Sequence, residues 1–475
     1  MAYFLHKRRS WVSIVVGAAV AFLFAVAVRA DLYVPGGYPT IQSAINAAAP
    51  GDVIHIATGR YAEVLTINKS LSLVGSGASN CVVYCQTNVP VISISGPATV
   101  TLADFEVEGG AYMGSEWYNG LSPLGIVATN ANLTIDTLIM NQFINYFVTI
   151  SGGTLAATNL AIWTRNVLAG CDVGVELDGC TATINGLTQD AGHLDHTINV
   201  NGALGTNHAD VLVTGCRIRT SSLSYGNCVR TYVRSSVTIT NCLLYRGTNE
   251  TTPGYPTFNH SAISVNGYSN VVVVTGNIVS NVPWSMYCYG SLGGNRVLVE
   301  SNRFLNSSIG GVVCDSMNYQ GLDLGGGPIG SRGGNVFSET PAPPAGFCAD
   351  VLNTNSSGFA TAAIFALHNT WSNLTNKEAV IYDKLDNALF GRVISDDLVI
   401  KSTSRDATGH AVISWNERGA GEHYTVETRS NPMAGAWASA PGSWPITNPG
   451  LGDMRWTNSA ASSSNQFYRI RSLVP

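Results

Sequence analysis

Glu176 and Asp178 stand two apart in the run Val175-Glu176-Leu177-Asp178. On an extended strand both carboxylates project from one face, ~7 Å apart. That reaches the lower end of the separation at which one carboxyl group protonates a glycosidic oxygen while the other activates a water. Arg230, in Val229-Arg230-Thr231-Tyr232, offers a cation to a carboxylate-bearing sugar. His196 closes the stretch 188–196, which also carries His193 and Asp195, and His260 closes the stretch 246–260. Imidazoles titrate near neutrality and can take or give a proton. A second chemistry is therefore open: β-elimination, in which Arg230, His196 or Tyr232 removes a proton beside a uronate carboxylate. A cation such as calcium would neutralise the developing charge.

These side chains need elements that bring them together. The segments 175–178, 198–201, 229–232, 263–266, 286–289 and 312–315 alternate apolar and polar residues with period two. If they stack, one outward row reads Glu176, Asn199, Arg230, Ser264, Tyr287. The next reads Asp178, Asn201, Tyr232, Asn266, Tyr289, Asp315. The two histidine-bearing stretches would wall this strip into a groove. Rings could stack on Tyr232, Tyr287 and Tyr289, and hydroxyls could meet Asn199, Asn266 and Asp315. The plainer reading of the same pattern is a solvated polar face.

After most of these segments a second apolar strand follows and ends at a polar turn: Cys216-Arg217-Ile218, Cys242-Leu243-Leu244, Asn277-Ile278, Asn302-Arg303-Phe304. The turns recur at steps of roughly 25–35 residues, with no helical pattern between them, which is the signature of a solenoid of short strands. Asn277, Asn302 and Asn335 would form a ladder at one bend. Asp104 and Asp136 are expected at the same bend in earlier coils.

On these repeats the chain resembles the right-handed parallel β-helix proteins of the pectin-lyase-like superfamily over roughly residues 32–400. The resemblance implies an all-β fold, a polysaccharide partner, a secreted or cell-surface location and, for some members, lyase or hydrolase activity. The opening "YPTIQSAINAAAPGDVIHIATGRYAE" resembles the start of many such proteins, pectin methylesterases included. Of the esterase motifs only Gln189-Asp190 has an echo. The acid pair of the polygalacturonase-like pattern is replaced by Gly226-Asn227-Cys228, and its Arg-x-Lys by Met286-Tyr287-Cys288. His260 lies close to where that family keeps a histidine. No acidic calcium cluster of the pectate-lyase kind is evident. The function expected is thus binding, with or without cleavage, of an extracellular polysaccharide. The alternative is a non-catalytic structural or adhesive β-helix.

The rest of the chain is consistent with this. Of 475 residues, 12% are charged, about half the usual share, and the net charge is −5. Nothing there suggests nucleic acid or an anionic membrane surface. Residues 1–30 read as an export signal, with Lys7, Arg8 and Arg9 before an apolar run that ends at Val28-Arg29-Ala30. The run could also just span a bilayer as an uncleaved anchor. A monomer free of the membrane is expected after cleavage. Thr40 should cap a short helix over the first coil, with His55 and Glu63 as cap residues. The β-helix is expected over 31–400. Residues 403–475 resemble a small fibronectin-III-like β-sandwich. The aromatics Tyr112, Trp117 and Tyr118 mark a loop that could meet sugars. Ten cysteines sit in the exported part. Cys216 with Cys242, and Cys288 with Cys314, could be disulfides or stacked free thiols. No zinc spacing occurs, and no metal ligand set is expected.

Overall fold

A computed structural model describes residues 29–473, apart from 86, 110–123, 144–145, 164–170, 190–193, 203–207, 220–225, 247–260, 291–293, 316–320, 339–348, 355–362, 375–376, 384–386, 388, 396–399, 417–422, 431–435, 448–453 and 459–465. The export segment, His193 and His260 therefore lie outside the described residues, as does nearly all of the aromatic loop.

Three strands make each coil, and coils pair in parallel. The first face runs through Cys171–Asp178, Leu194–Asn201, Asn227–Thr231, Ser261–Val265, Trp284–Tyr289, Gly310–Asp315 and Ala349–Asn353. The second runs through Thr181–Asn185, Ala209–Thr214, Ser235–Thr240, Val271–Thr275 and Arg296–Glu300. The third runs through Arg217–Arg219, Leu243–Tyr245, Ile278–Ser280 and Arg303–Leu305. Earlier coils continue all three. The segments 126–128 and 133–135 read as separate strands but form one strand, Ile126–Asp136, bent at Asn130 (φ 52°).

The inward residues stack coil upon coil. Val175, Ile198, Val229, Ile263, Met286 and Val312 are in register on the first face and wholly buried. Phe304, Phe337 and Trp371 stack at 5.2 and 5.4 Å on the far side. Each such side chain contributes about 1.5–3 kcal/mol by leaving water. No coil can bury its own inner face, so the stack is the core.

One bend is held by a ladder. Asn277 Nδ2 donates to Ile239 O (2.8 Å) and Thr275 O (3.1 Å), while its Oδ1 accepts from Cys242 N (2.9 Å). Asn302 and Asn335 repeat the pattern, and Asn369 extends it by one coil. Cys242 and Cys216 occupy the same position one and two coils before Asn277. Each thiol has one hydrogen and lies within reach of two carbonyls: Cys242 of Thr240 O (3.2 Å) and Val213 O (3.8 Å), Cys216 of Thr214 O (3.3 Å) and Ile184 O (3.7 Å). Both are free thiols, as are Cys288 and Cys314, which stack in register, so of the two readings the structure shows stacked free thiols. The residue before each rung is left-handed, as at Gly276 (φ 67°) and Ser301 (φ 57°). Asp104 (φ 58°) fills that place in its coil, but Thr137 (φ 53°) rather than Asp136 fills it in the next. A second ladder, Asn270 and Asn295, pins the bend between the first and second faces.

At the N-terminal end, Ile41–Ala47 is the one α-helix among the described residues. Thr40 and Ser43 form a capping box. Glu63 accepts from Ile41 N and Gln42 N, both at 2.9 Å, placing a carboxylate on the helix N-terminus. His55 pairs with Asp31 (3.2 Å) and stacks on Tyr33. Parallel pairing ends at Val393–Ile394. From Ile400–Arg405 onward the pairing is antiparallel, in two small sheets around Trp415, Tyr424, Val426 and Trp456. Among the described residues no helix is long and apolar enough to cross a membrane.

Candidate functional site

The first-face register aligns Glu176 with Asn199, Asn199 with Arg230, Arg230 with Ser264 and Ser264 with Tyr287. Parallel strands lie ~4.8 Å apart, so these side chains form a continuous strip. The strip begins beside Gly174. Gly174 has no room for a side chain, because a Cβ would lie 2.5 Å from Thr197 O and 3.0 Å from Ile162 Cδ1. In the coils stacked on it, the consecutive residues Cys228 with Val229 and Ala262 with Ile263 are both fully buried. Alternation therefore breaks there, and His196, two residues before inward Ile198, reaches the outer strip.

Glu176 is only 9% exposed and takes both bonds of one amide: Asn199 Nδ2 donates to Oε1 (3.0 Å) and Oε2 (2.9 Å). Burial pushes its carboxyl up to about 7. The Asn199 bonds oppose that rise, Asp178 adds to it, and Arg230 opposes it. Asp178, in register with Asn201, is also raised by burial, against a bond from Asn201. The carbonyl oxygens Asn199 Oδ1 and Asn201 Oδ1 are buried and accept nothing.

Arg230 Nη1 lies 2.8 Å from His196 Nε2. A guanidinium can only donate, so Nε2 accepts and this imidazole is neutral, with its proton on Nδ1. The guanidinium also lies over the Tyr232 ring, 5.1 Å from its centroid. Its Nε is buried with no partner. Burial lowers the Arg230 pKa, and Tyr232 and Glu176 counter it. Arg230 is thus held at one end and on one face, and the edge carrying Nε remains to be met.

Five further candidates separate here. Tyr232 and Tyr289 are exposed, at 42% and 40%. Asn266 is half-buried and its Oδ1 accepts from Ser264 Oγ (3.2 Å). Tyr287 is not an open stacking surface. It is 4% exposed, donates to Asp315 Oδ2 (2.8 Å), and packs with Trp284, Val313, Ala349 and Leu352. Burial and the neighbouring Asp315 raise its pKa strongly. Asp315 is correspondingly occupied. The outer strip therefore changes character along the stack, from polar at Glu176–Ser264 to apolar at Trp284–Leu352. Its polar part includes two residues that the alternation did not single out: Asn227 donates to Ser261 O and Oγ. Polar residues at inward parity, in the column of His196, were the available signal.

Gln189, the esterase echo, faces inward, is 2% exposed and accepts from Thr197 Oγ1, so it is a core residue. Asp383 is buried against Arg392 and Val393 N. Among the described residues no three His, Cys, Asp or Glu side chains converge.

Fold and strip together define an all-β protein built on a parallel β solenoid with a polar outer face. No family model and no curated protein matches the chain. Several solved structures do. The A-module of a mannuronan C-5 epimerase from Azotobacter vinelandii is 12% identical, covering 75% of this chain and 95% of that one, with a TM-score of 0.40. Pectin methylesterase PemA from Erwinia chrysanthemi is 13% identical, covering 58% and 90%, with a TM-score of 0.32. A tailspike protein of Acinetobacter baumannii bacteriophage Fri1, a capsular polysaccharide depolymerase, is 10% identical, covering 94% and 84%, with a TM-score of 0.37. The assignment of a solenoid rests on the chain's own strand pairing.

Proposed function

We propose that this protein works outside the cytoplasm and binds a uronate-containing polysaccharide along the outer first face. One observation carries the reading. Arg230 sits in register between Asn199 and Ser264, braced by His196 and Tyr232, with Nε unpaired. A planar carboxylate satisfies such an edge with two parallel bonds. The unfilled carbonyls of Asn199 and Asn201 would accept sugar hydroxyls, and exposed Tyr232 and Tyr289 would carry rings. The exported chain ends in a fibronectin-III-like module in this reading, which its two antiparallel sheets support.

A second reading, hydrolysis of the bound polymer, is favoured by Glu176. Its carboxyl, pushed up to about 7, keeps a proton to donate near neutrality, while Asp178 two residues on supplies a base. A glycan array with acidic and neutral oligomers tests the binding. A product assay on any hit then looks for new reducing ends, or for an ultraviolet-absorbing unsaturated sugar if elimination operates. Failure to bind any uronate oligomer would leave the structural or adhesive alternative.

A further inference from the structure

The third face carries a second cluster, in coils nearer the N-terminus than Arg230. Val83, Val107, Met140 and Ile162 pair in register and point into the core, all fully buried. Their strand neighbours therefore point out. One outward row is Tyr84, Glu108, Asn141, Trp163, each in register with the next. Glu106 lies beside it, two residues before Glu108.

Most of the polar groups in this cluster are spoken for. Arg60 Nη2 donates to both oxygens of Glu108 (2.9 and 3.1 Å) and covers the Tyr84 ring at 4.8 Å. Asn141 Nδ2 donates to Glu106 Oε1 (2.8 Å). That bond fixes the amide: turned over, it would set two oxygens against each other. Asn141 Oδ1 must then be the atom that faces away, and it is buried with no donor, on a side chain only 2% exposed. A buried acceptor left empty costs free energy, so native structures seldom keep one without a use. The cluster offers acceptors in Asn141 Oδ1 and the Glu106 carboxylate, with half-buried Trp163 one coil beyond. Arg60, its cation, is already bound to Glu108.

We propose that Glu106, Asn141 and Trp163 form a second saccharide subsite, one that takes a neutral sugar unit. Its hydroxyls donate to Asn141 Oδ1 and Glu106, and its apolar ring face lies on Trp163. The chemistry complements the Arg230 strip, which presents a free donor edge to a carboxylate. A uronate is poorly suited here, because its charge would meet Glu106.

The test uses the intact chain and neutral hexasaccharides of β-1,4-glucan, β-1,4-mannan and α-1,4-glucan, read by calorimetry and by hydrogen exchange. Saturable binding of at least one probe is expected, with protection of segments 106–108 and 139–141. Asn141→Leu and Trp163→Ala should each weaken that binding roughly tenfold, the loss of one good polar or stacking contact. Glu106→Gln, which keeps the shape, should weaken it less and serves if Asn141→Leu fails to fold. No saturable binding, or protection confined to segments 176–230, overturns the proposal. So does calcium chloride alone binding here in an Asn141-dependent manner, which would make this a cation site. Uronate oligomers probe the Arg230 strip separately, so either site can fail without the other.

Discussion

Glu176 keeps its proton through a pH range in which an exposed glutamate has lost it. The folded chain holds that proton up to about pH 7, against 4.5 for the ordinary group. Native protein therefore binds more protons than unfolded protein across that window. Stability present below the unfolded value declines as pH rises, and the Glu176 contribution is gone once pH passes about 7. Glu176→Gln should leave the melting temperature at pH 4 nearly unchanged and raise it at pH 8, by no more than about 3 kcal/mol of stability. Thermal melts at the two pH values check this, and an equal effect at both would contradict the burial argument. Arg230 gives the binding counterpart. Arg230→Ala should weaken a uronate oligomer by about 1.5–3 kcal/mol, the range for charge-assisted bonds, as measured by calorimetry. Tyr232→Ala should weaken neutral and acidic oligomers alike if its exposed ring is a stacking surface.

The ladder is where one residue type becomes an element. Asn277 bonds two carbonyls and one amide at this bend. Asn277→Ala strands them in the interior and should cost about 1–3 kcal/mol in urea unfolding, whereas a surface change costs under about 0.5. Cys242 makes the same two kinds of contact with a weaker donor. Cys242→Asn should therefore be tolerated or mildly stabilising, while Cys242→Ser tests the donor at smaller volume. Contact with Cys242 and burial push the Cys216 thiol far up, which keeps it protonated and donating.

At the scale of the molecule, export and fold make linked expectations. Exported material should begin at Asp31 by N-terminal sequencing; a chain starting at Met1 would show that the apolar run is retained. The mature protein should give a β-dominated circular dichroism spectrum, since its one described helix is the seven-residue Ile41–Ala47. The terminal sheets have their own aromatic core, separate from the solenoid's. Thermal unfolding followed at Trp415 and Trp456 should then be distinguishable from unfolding of the stack.

Period-two alternation and the recurrent polar bend were enough to read the solenoid, the first-face register and the Asn277–Asn302–Asn335 ladder. Inward and outward positions follow from strand geometry alone, so these features are local. The Asn270–Asn295 ladder went unread although Asn270-Val271 and Asn295-Arg296-Val297 carry the same polar–apolar pattern, because it lies at the other bend of the coil, before the second strand. Asn369 went unread as a rung one coil beyond Asn335. Choices among outward residues belonged to the tertiary structure. Tyr287 and Tyr289 alternate identically, yet one is buried under Trp284 and Leu352 and the other is exposed. His196 has inward parity, yet its Nε2 lies 2.8 Å from Arg230 Nη1. The cysteine pairs were undecided between disulfide and thiol; in the structure all four are free, and Cys216 and Cys242 lie against neighbouring carbonyls. Strand period encodes which side of a sheet a residue takes. What covers that side, and which partner meets it, depends on coils tens of residues away in the chain.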